Sequence, residues 1–218
     1  VVSSQRDVDT LQGWGFDRVR LIPSGIDLTR FPPSPAPAGQ AFRLLVGSAP
    51  WVSAQFRTKG VDALLEAARI LPQLRLVLLW RGVLRDELDS RLRRLGLIDR
   101  VEILDGPADV PGVLARVHAA TVLAAAPDLV KAYPHSLLEA LAVGRPVLVS
   151  DTIPMADYVV QTGCGEVATG VELASVQDAL RRLIGSYDAR AARASGTRPL
   201  SRERMLERYG DLQTQFEQ

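Results

Sequence analysis

A long loop between two apolar segments carries the first residues suited to chemistry. It runs from Gly47 to Gly60 and ends in Arg57-Thr58-Lys59-Gly60, which places two cations and a glycine where a helix begins. Cationic side chains beside the free amides of a helix start suit a diphosphate group, and long loops in compact domains are often functional. A solvated, charged loop end is the alternative, and the loop taken alone favours that alternative.

A second loop enters a helix within the segment from Lys131 to Val147. Ser136 and Glu139 have the spacing of a capping box, in which the serine oxygen accepts from the Glu139 amide and the glutamate reaches back to the Ser136 amide. Alternatively, the Glu139 carboxylate accepts from two vicinal hydroxyls of a ribose, because an ionised carboxylate only accepts. The segment alone favours the capping role. For His135 we expect a local hydrogen bond and no catalytic step.

Two further strand ends carry weaker signals. Arg81 and Gly82 follow an apolar run, where the arginine supplies charge and the glycine lets backbone approach a ligand closely. Gly106 and Pro107 follow the next run and offer backbone groups to a flat base. A Gly-Pro turn with Asp109 capping the next helix explains the same residues equally well.

Charge and cysteine content exclude several classes of protein and of site. Lys and Arg number 26 against 25 Asp and Glu, so the net charge of +1 does not favour nucleic-acid binding. The single cysteine, Cys164, excludes an intramolecular disulfide and a Cys-pair metal site, and no base lies beside it to make it a nucleophile. No His, Asp and Glu set has metal-ligand spacing, and His118 is expected to be structural. We therefore expect neither a metal nor a cofactor.

The sequence shows no segment that spans a membrane or directs export. No apolar run reaches about 18 residues, and the chain does not open with a charged and then apolar signal. A cytoplasmic protein is the expectation, with peripheral membrane contact left open. Because the chain opens on Val1 rather than on Met, we also expect it to be a piece of a longer protein.

The elements that must position these loops alternate along the chain. Short apolar runs suit strands buried on both faces of a parallel sheet, and stripes of helical period separate them, as in Val61-Leu64-Leu65-Ala68. This alternation predicts an α/β domain with a Rossmann-like, doubly wound parallel sheet and helices on both faces. The predicted strands are Leu44 to Val46, Leu74 to Trp80, Val101 to Leu104, Ala120 to Ala126 and Pro146 to Ser150.

The flanking segments are less regular. Before the domain, the pattern predicts a helix over residues 4–13 with Ser4 as its N-cap, a strand from Arg18 to Ile22 and a linker at Pro32 to Pro37. After it come, in predicted order, a helix from Pro154 to Gln161, a turn at Gly163-Cys164-Gly165, a helix carrying Val176 and Leu180, a polar gap from Ser186 to Pro199 and a last helix from Ser201 to Phe216.

Taken together, the loops resemble the C-terminal, donor-binding half of retaining glycosyltransferases of family 4, which have the two-domain GT-B fold. The order and spacing of the pieces make the resemblance specific, and it runs over nearly the whole chain. It rests on the segment from Leu21 to Phe31, on the Lys-Gly helix start from Thr58 to Ala67, and on the stretch from Pro134 to Val147 that contains Leu138-Glu139-Ala140 and Gly144-Arg145-Pro146.

The resemblance implies transfer of a hexose from a nucleotide-diphosphate donor, with retention at the anomeric carbon and without an essential metal. By matching position, Lys59 would hold the diphosphate and Glu139 the ribose, and these two residues carry the catalytic contribution of this half. Stabilisation of the departing diphosphate is the implied chemistry. The further contacts are the amides of His135, Ser136 and Leu137 for the phosphates and the backbone near Gly106 and Pro107 for the base.

Two positions depart from the family pattern. Ser48 stands where the family has an arginine for the phosphates, and Arg57 or Arg81 is a candidate replacement. Lys131 stands where the family has the first glutamate of its pair. A lysine cannot accept hydrogen bonds from sugar hydroxyls as a carboxylate does, so either the donor is different, for example more anionic, or catalysis is weaker.

The resemblance also divides the chain. It implies that residues 1–33 end the N-terminal domain and join the domains, that 34–40 form a proline-rich linker, that 41–185 form the donor-binding domain, and that 186–218 form a helical tail. The acceptor site would come from an N-terminal domain, so this chain alone would bind donor and turn over little. A non-catalytic nucleotide-sugar-binding homologue and a GT-B epimerase are the alternatives.

Overall fold

The structure is a computed structural model that describes residues 1–195 and 201–216. Within these residues a sheet of six strands is built with the order β3-β2-β1-β4-β5-β6, and every neighbouring pair is parallel. The order reverses between β1 and β4, which opens a crevice beyond their C-terminal ends. The strands are β1 (Phe42–Val46), β2 (Leu74–Trp80), β3 (Val101–Asp105), β4 (Ala119–Val122), β5 (Val147–Ser150) and β6 (Gly165–Ala168).

Helices cover both faces of the sheet, as the alternating pattern predicts. The helices are α1 (Gln5–Gly13), α2 (Gln55–Thr58), α3 (Val61–Ile70), α4 (Arg85–Leu95), α5 (Val110–Ala115), α6 (His135–Val143), α7 (Met155–Thr162), α8 (Leu173–Gly185), α9 (Tyr187–Ser195) and α10 (Arg202–Phe216).

Successive residues of one strand show how the two layers form. Leu44 of β1 packs in the cluster that contains Leu64 of α3 and Leu180 of α8. Leu45, the next residue, packs in the cluster on the other face with Leu138 of α6. Strands β4 and β5 are buried along their whole length, which explains why their sequences are mostly apolar and do not alternate with exposed polar residues. The predicted fold class is confirmed.

One prediction on the flanks was wrong, and another was right only in part. The predicted strand from Arg18 to Ile22 forms only a single bridge between Leu21 and Val2, because it has no further neighbour to pair with. The predicted turn at Gly163-Cys164-Gly165 is a boundary between two elements. Gly163 ends α7 in a left-handed conformation, and Gly165 opens β6.

The predicted polar gap from Ser186 to Pro199 was wrong over residues 187–195, which form α9. Ala194 is buried, and Arg190 donates to the carboxylate of Glu166 at 2.5 Å, so this helix is held to the sheet by contacts that composition does not reveal. Residues 196–199 of that prediction lie outside the described residues. The predicted helices over residues 4–13 and from Ser201 to Phe216 are confirmed as α1 and α10, and the Ser4 hydroxyl accepts from the Asp7 amide as an N-cap.

The proline-rich segment is fixed to the domain by one buried arginine. Arg145, which is 1% exposed, donates to the carbonyls of Leu114 and Ala115 at the end of α5 and to Ser34 and Pro35. Helix C-termini favour cations, because their last carbonyls lack helical donors. Arg145 therefore joins the segment before β1 to the C-terminal end of α5.

Within the part of the chain that the structure describes, the helices are too short or too polar to span a bilayer.

Candidate functional site

The crevice beyond β1 and β4 brings two of the predicted loops together. Gly47, which follows β1, lies against Ser136 in the first turn of α6, so closely that a Cβ on Gly47 would stand 2.7 Å from the Ser136 Cβ. The Gly47 amide donates to the Thr121 carbonyl of β4 at 3.1 Å. Only glycine allows this approach, and through it the long loop after β1 meets the start of α6.

Lys59 lies at the inner end of that loop. Its side chain is 6% exposed, and its ammonium donates to the Ala49 carbonyl at 3.1 Å. Gly60 follows with φ of +66° and packs on Leu123, while the Thr58 carbonyl accepts from the Ala125 amide at 2.7 Å. These contacts fasten the loop to the end of β4. Burial lowers the pKa of Lys59, because the charged form has lost hydration that an anion can replace.

The predicted capping box is wrong, so Glu139 does not have the helix-capping role that was its structural alternative. Helix α6 begins at His135 with Pro134 at its N-cap, and no side chain caps it. Pro134 sits at the helix entrance in an extended conformation, so Ser136 already lies inside the first turn, where its hydroxyl cannot act as an N-cap. Glu139 is therefore available for a ligand.

Two arginines face Glu139. Burial raises the pKa of the half-buried Glu139 carboxyl, while the charges of Arg30 and Arg81 act in the opposite direction. The predicted Arg81, which follows β2, thus acts electrostatically on Glu139 of α6, although the two residues lie far apart in sequence. Arg30 was missed as a site residue, although it lies in the segment from Leu21 to Phe31 that carries the resemblance, because that segment was assigned to the join between domains. A partly buried carboxylate with a shifted pKa in a crevice is a typical arrangement at functional sites.

The start of α6 offers two free amides rather than the predicted three. The Leu137 amide already donates to the Pro134 carbonyl at 3.0 Å, so it is engaged within the helix. The amides of His135 and Ser136 precede the first helical hydrogen bonds and are free for an anion. Partial burial and the charge of Lys131 both lower the pKa of His135, which keeps its imidazole neutral.

The remaining predicted cations are exposed around this crevice. Arg57 lies on the single turn of α2, and Lys131 lies in the loop between β4 and α6. Ser48 is half-buried next to Gly47 and supplies no charge. The loops around the crevice therefore carry exposed cationic side chains beside the buried Lys59 ammonium, a charge pattern suited to a ligand with several negative charges.

The glycine loops after β2 and β3 have different roles. A Cβ on Gly82 would stand 2.6 Å from the Pro50 carbonyl, so Gly82 lets the long loop pass across the end of β2. Gly106 has φ of +92°, and its amide donates to the Trp80 carbonyl at 3.3 Å. Pro107 lines an open cavity of about 550 Å³ at the sheet edge. Asp109 is the N-cap residue of α5, but its side chain makes no capping hydrogen bond.

The other histidine and the cysteine are structural, as the sequence predicts. The Nδ1 atom of His118 accepts from the Arg43 amide at 3.1 Å, and its ring stacks on Phe42. Burial raises the pKa of the Cys164 thiol, which keeps it unreactive. Among the described residues no group of three or more His, Cys, Asp and Glu side chains lies together as a metal site.

A large surface cavity lies elsewhere. It has a volume of about 630 Å³ and is lined by Pro37, Phe42, His118 and Tyr187, at the N-terminal edge of the sheet. Ligands of open parallel sheets bind at the opposite edge, beyond the C-terminal strand ends. Size alone therefore does not identify the site, and the convergence of Lys59, Glu139 and the start of α6 outweighs it.

Solved structures share this architecture. Sucrose-phosphate synthase from Thermosynechococcus elongatus superimposes with a TM-score of 0.78 at 21% identity, over 99% of this chain and 57% of that chain. HepE from Anabaena, in a complex with UDP and glucose, gives a TM-score of 0.78 at 21% identity, over 98% of this chain and 62% of that chain. At this identity the likeness establishes the fold, that of GT-B glycosyltransferases.

Sequence relatives give the family. The D-inositol 3-phosphate glycosyltransferase of Nocardia farcinica is 32% identical over 197 residues, which is 84% of this chain and 43% of the relative. The protein of the same name from Xylanimonas cellulosilytica is 30% identical over 210 residues, 90% of this chain and 50% of the relative. The chain thus spans about half the length of these curated relatives. The model of the family described as glycosyl transferases group 1 matches residues 49–198, and the chain belongs to that family.

Proposed function

We propose that this chain is the donor-binding, C-terminal half of a retaining glycosyltransferase of family 4, and that the crevice beyond β1 and β4 binds a nucleotide-diphosphate sugar. The observation that carries the proposal is the convergence of the buried Lys59 ammonium, the free amides at the start of α6 and the Glu139 carboxylate in one crevice.

The diphosphate lies between Lys59 and the amides of His135 and Ser136 in this proposal. When the bond between the anomeric carbon and the diphosphate oxygen breaks, negative charge grows on the departing diphosphate. An ammonium and amide dipoles already in place stabilise that charge without reorganising. Rim cations, above all Arg57, add to the same field, so the reaction has no need of a metal.

The ribose lies at Glu139. An ionised carboxylate accepts from two vicinal hydroxyls, and the charges of Arg30 and Arg81 favour its ionised form against burial. The base lies toward Gly106 and Pro107 at the end of β3. We propose uridine as the base, because HepE, which shares the fold, is seen in complexes with UDP and with UDP-glucose.

The acceptor site lies outside this half, in a domain of the longer protein. This fits a chain that spans about half the length of its curated relatives. Those relatives are named for D-inositol 3-phosphate, which makes that compound the first acceptor to test. We also propose that the reaction takes place in the cytoplasm.

The experiment compares the 218-residue chain with the protein of full natural length. Both are incubated with UDP-glucose and D-inositol 3-phosphate, with and without EDTA, and UDP release and the anomeric configuration of the product are measured. We expect transfer with retention by the full-length protein, unaffected by EDTA, and little turnover by the chain alone. Transfer by the chain at the full-length rate, or inversion, contradicts the proposal.

A second candidate is a non-catalytic nucleotide-sugar-binding homologue. Lys131 and Ser48 favour it, because they replace two polar groups that the resembled family uses on the donor. Binding of UDP-glucose by the full-length protein without any transfer to a panel of acceptors identifies this alternative. Interconversion of the nucleotide sugar without an acceptor identifies the epimerase.

A further inference from the structure

The segment that presents Lys59 has little stability of its own. Helix α2 is a single turn of four residues, and isolated helices of this length do not persist in water. Its one fully buried side chain is Phe56, which packs on Trp80 at the end of β2 with 5.8 Å between ring centroids. The position of Lys59 therefore depends on contacts made to this turn from outside.

One side chain of α4 supplies several of those contacts. The guanidinium carbon of Arg91 lies 3.8 Å from the centroid of the Phe56 ring, a close cation–π contact. Its Nε donates to Asp62 in the first turn of α3 at 2.9 Å. Its Nη1 donates to Glu87 at 2.6 Å. The Arg91 side chain is 17% exposed, so these interactions are partly shielded from water.

Glu87 extends the contact to the outer part of the loop. Its Oε1 atom accepts from both Arg91 and the Ser53 hydroxyl, each at 2.6 Å. Arg91 is therefore connected to the Lys59 segment at three places, through Ser53, Phe56 and Asp62. Lys59 lies between the last two of these, and none of the contacts involves Lys59 itself.

We propose that Arg91 is a positioning residue, which holds the segment from Ser53 to Asp62 so that the Lys59 ammonium stays buried against the Ala49 carbonyl and faces the diphosphate. This inference rests on the proposed function for the identity of the ligand. The contacts explain how this works. Arg91 binds residues on both sides of Lys59 in the sequence, so it fixes the position of the lysine without contacting it.

The Arg91 guanidinium holds this segment in place because it neutralises two nearby carboxylates. Asp62 and Glu87 both direct a carboxylate at Arg91, and without that cation the two negative charges face each other beside an uncovered Phe56 ring. Repulsion and lost stacking then release α2 from α4. Once the turn moves, Lys59 regains water and loses its fixed direction.

The first test uses the fact that the sequence contains two lysines, Lys59 and Lys131. Lysine labelled with ¹³C at Cε gives one NMR signal for each, and Lys131→Arg assigns them. In the unaltered chain we expect the Lys59 signal to titrate below the usual pH range of a lysine, because burial lowers its pKa. In Arg91→Met we expect the Lys59 titration to return toward that of a hydrated lysine, while Arg94→Met, an exposed position on the same helix, leaves it unchanged.

The second test measures UDP affinity in a double-mutant cycle. Arg91→Met weakens binding about tenfold, and in the Lys59→Ala background it has no further effect, because its influence passes through the lysine. Equal weakening in both backgrounds, or an unchanged Lys59 titration in folded Arg91→Met, overturns the proposal. If Arg91→Met does not fold, Arg91→Lys replaces it, because an ammonium keeps the charge but cannot bond Asp62 and Glu87 in the same fork.

The two tests separate this proposal from the proposed function. A chain that binds no UDP contradicts the donor site, yet the lysine titration still measures whether Arg91 fixes Lys59. Conversely, if Arg91→Met binds UDP as tightly as the unaltered chain, the donor site stands but Arg91 has no role in it.

Discussion

Burial shifts the pKa values of the two central side chains of the proposed site in opposite directions. It lowers the pKa of Lys59 and raises that of Glu139, because a poorly hydrated site disfavours either charge. Each group therefore carries its charge at a cost in the empty protein, and a ligand of complementary chemistry recovers that cost. In the proposed function, phosphate is the match for Lys59 and hydroxyl donors are the match for Glu139.

Replacement of Lys59 separates binding from stability. Because the folded-state pKa is lowered, the charged lysine opposes folding at every pH below that value. We therefore expect Lys59→Met to raise the midpoint of thermal unfolding while it weakens UDP binding at least about tenfold. Lys131→Met, at an exposed position, should leave the unfolding midpoint unchanged. A Lys59→Met protein that is both less stable and equally tight in binding contradicts this assignment.

Protonation of Glu139 should cause the loss of donor affinity at low pH, called here the acid limb. Its raised pKa means that the carboxylate takes up a proton at higher pH than an ordinary glutamate, and affinity for UDP-glucose then falls as pH decreases. UDP-glucose suits the measurement, since its diphosphate stays fully ionised over this range. Arg81→Met should move the limb to still higher pH by removing an opposing charge, and Glu139→Gln should abolish it. An unchanged limb in Glu139→Gln assigns it to another group.

The residue types of the site are readable in the sequence, but not all of their partners are. Lys59 and Glu139 stand in recognisable local patterns, so they were predicted. The capping box failed because Pro134 enters the helix earlier than the Ser136 spacing suggests. Arg30 acts on Glu139 from a segment distant in sequence, and no local pattern encodes such a contact.

At the scale of elements, the contact between the end of β1 and the start of α6 is the least tolerant part of the site. Gly47→Ala places a methyl group against the Ser136 side chain, and the overlap must move either β1 or α6. We expect a loss of about 1–3 kcal/mol in the free energy of unfolding and weaker UDP binding. Gly13→Ala is the control, because no atom lies within 4 Å of its added Cβ.

Calorimetric titration with UDP and chemical denaturation of both glycine variants measure the affinity and the free energy of unfolding. Gly47→Ala with full stability and full affinity shows that the two elements are free to separate without consequence, which contradicts the close approach described above.

Elements buried on both faces were predictable because burial leaves a direct mark on composition. The run from Leu74 to Trp80 is strand β2 with the predicted bounds. Strand β6 was missed, since Gly165 and Glu166 interrupt any apolar pattern. Glu166 is buried there only because Arg182 and Arg190 both donate to it, a compensation that becomes visible in three dimensions alone.

At the scale of the whole molecule, Arg145 is one of the residues that join the segment before β1 to the rest of the fold. Arg145→Met removes the donors of several buried carbonyls, and we expect the free energy of unfolding to fall by about 1–3 kcal/mol. Arg145→Lys should recover part of it, because an ammonium reaches fewer acceptors than a guanidinium. Denaturation of both variants, with exposed Arg94→Met as control, measures this. Equal stability of all three contradicts the role of Arg145.

The segment before β1 also meets the start of α10, which composition did not predict. Ile26 forms a bridge with Ser201, the Arg202 amide donates to the Ile26 carbonyl at 2.8 Å, and Arg202 pairs with Asp27 at 3.1 Å. The last helix thus covers the segment that carries Arg30 toward Glu139. Contacts between distant segments of this kind depend on the finished fold, so sequence periodicity cannot supply them.

The central claim is that Lys59 and Glu139 form one nucleotide-diphosphate site in the crevice beyond β1 and β4. The most direct measurement is calorimetric titration of the chain with UDP, GDP and ADP, repeated with Lys59→Ala and Glu139→Gln. The account predicts saturable binding of UDP, weakened at least about tenfold in each variant. No saturable binding of any of the three by the folded chain, or binding of UDP that neither variant weakens, contradicts it.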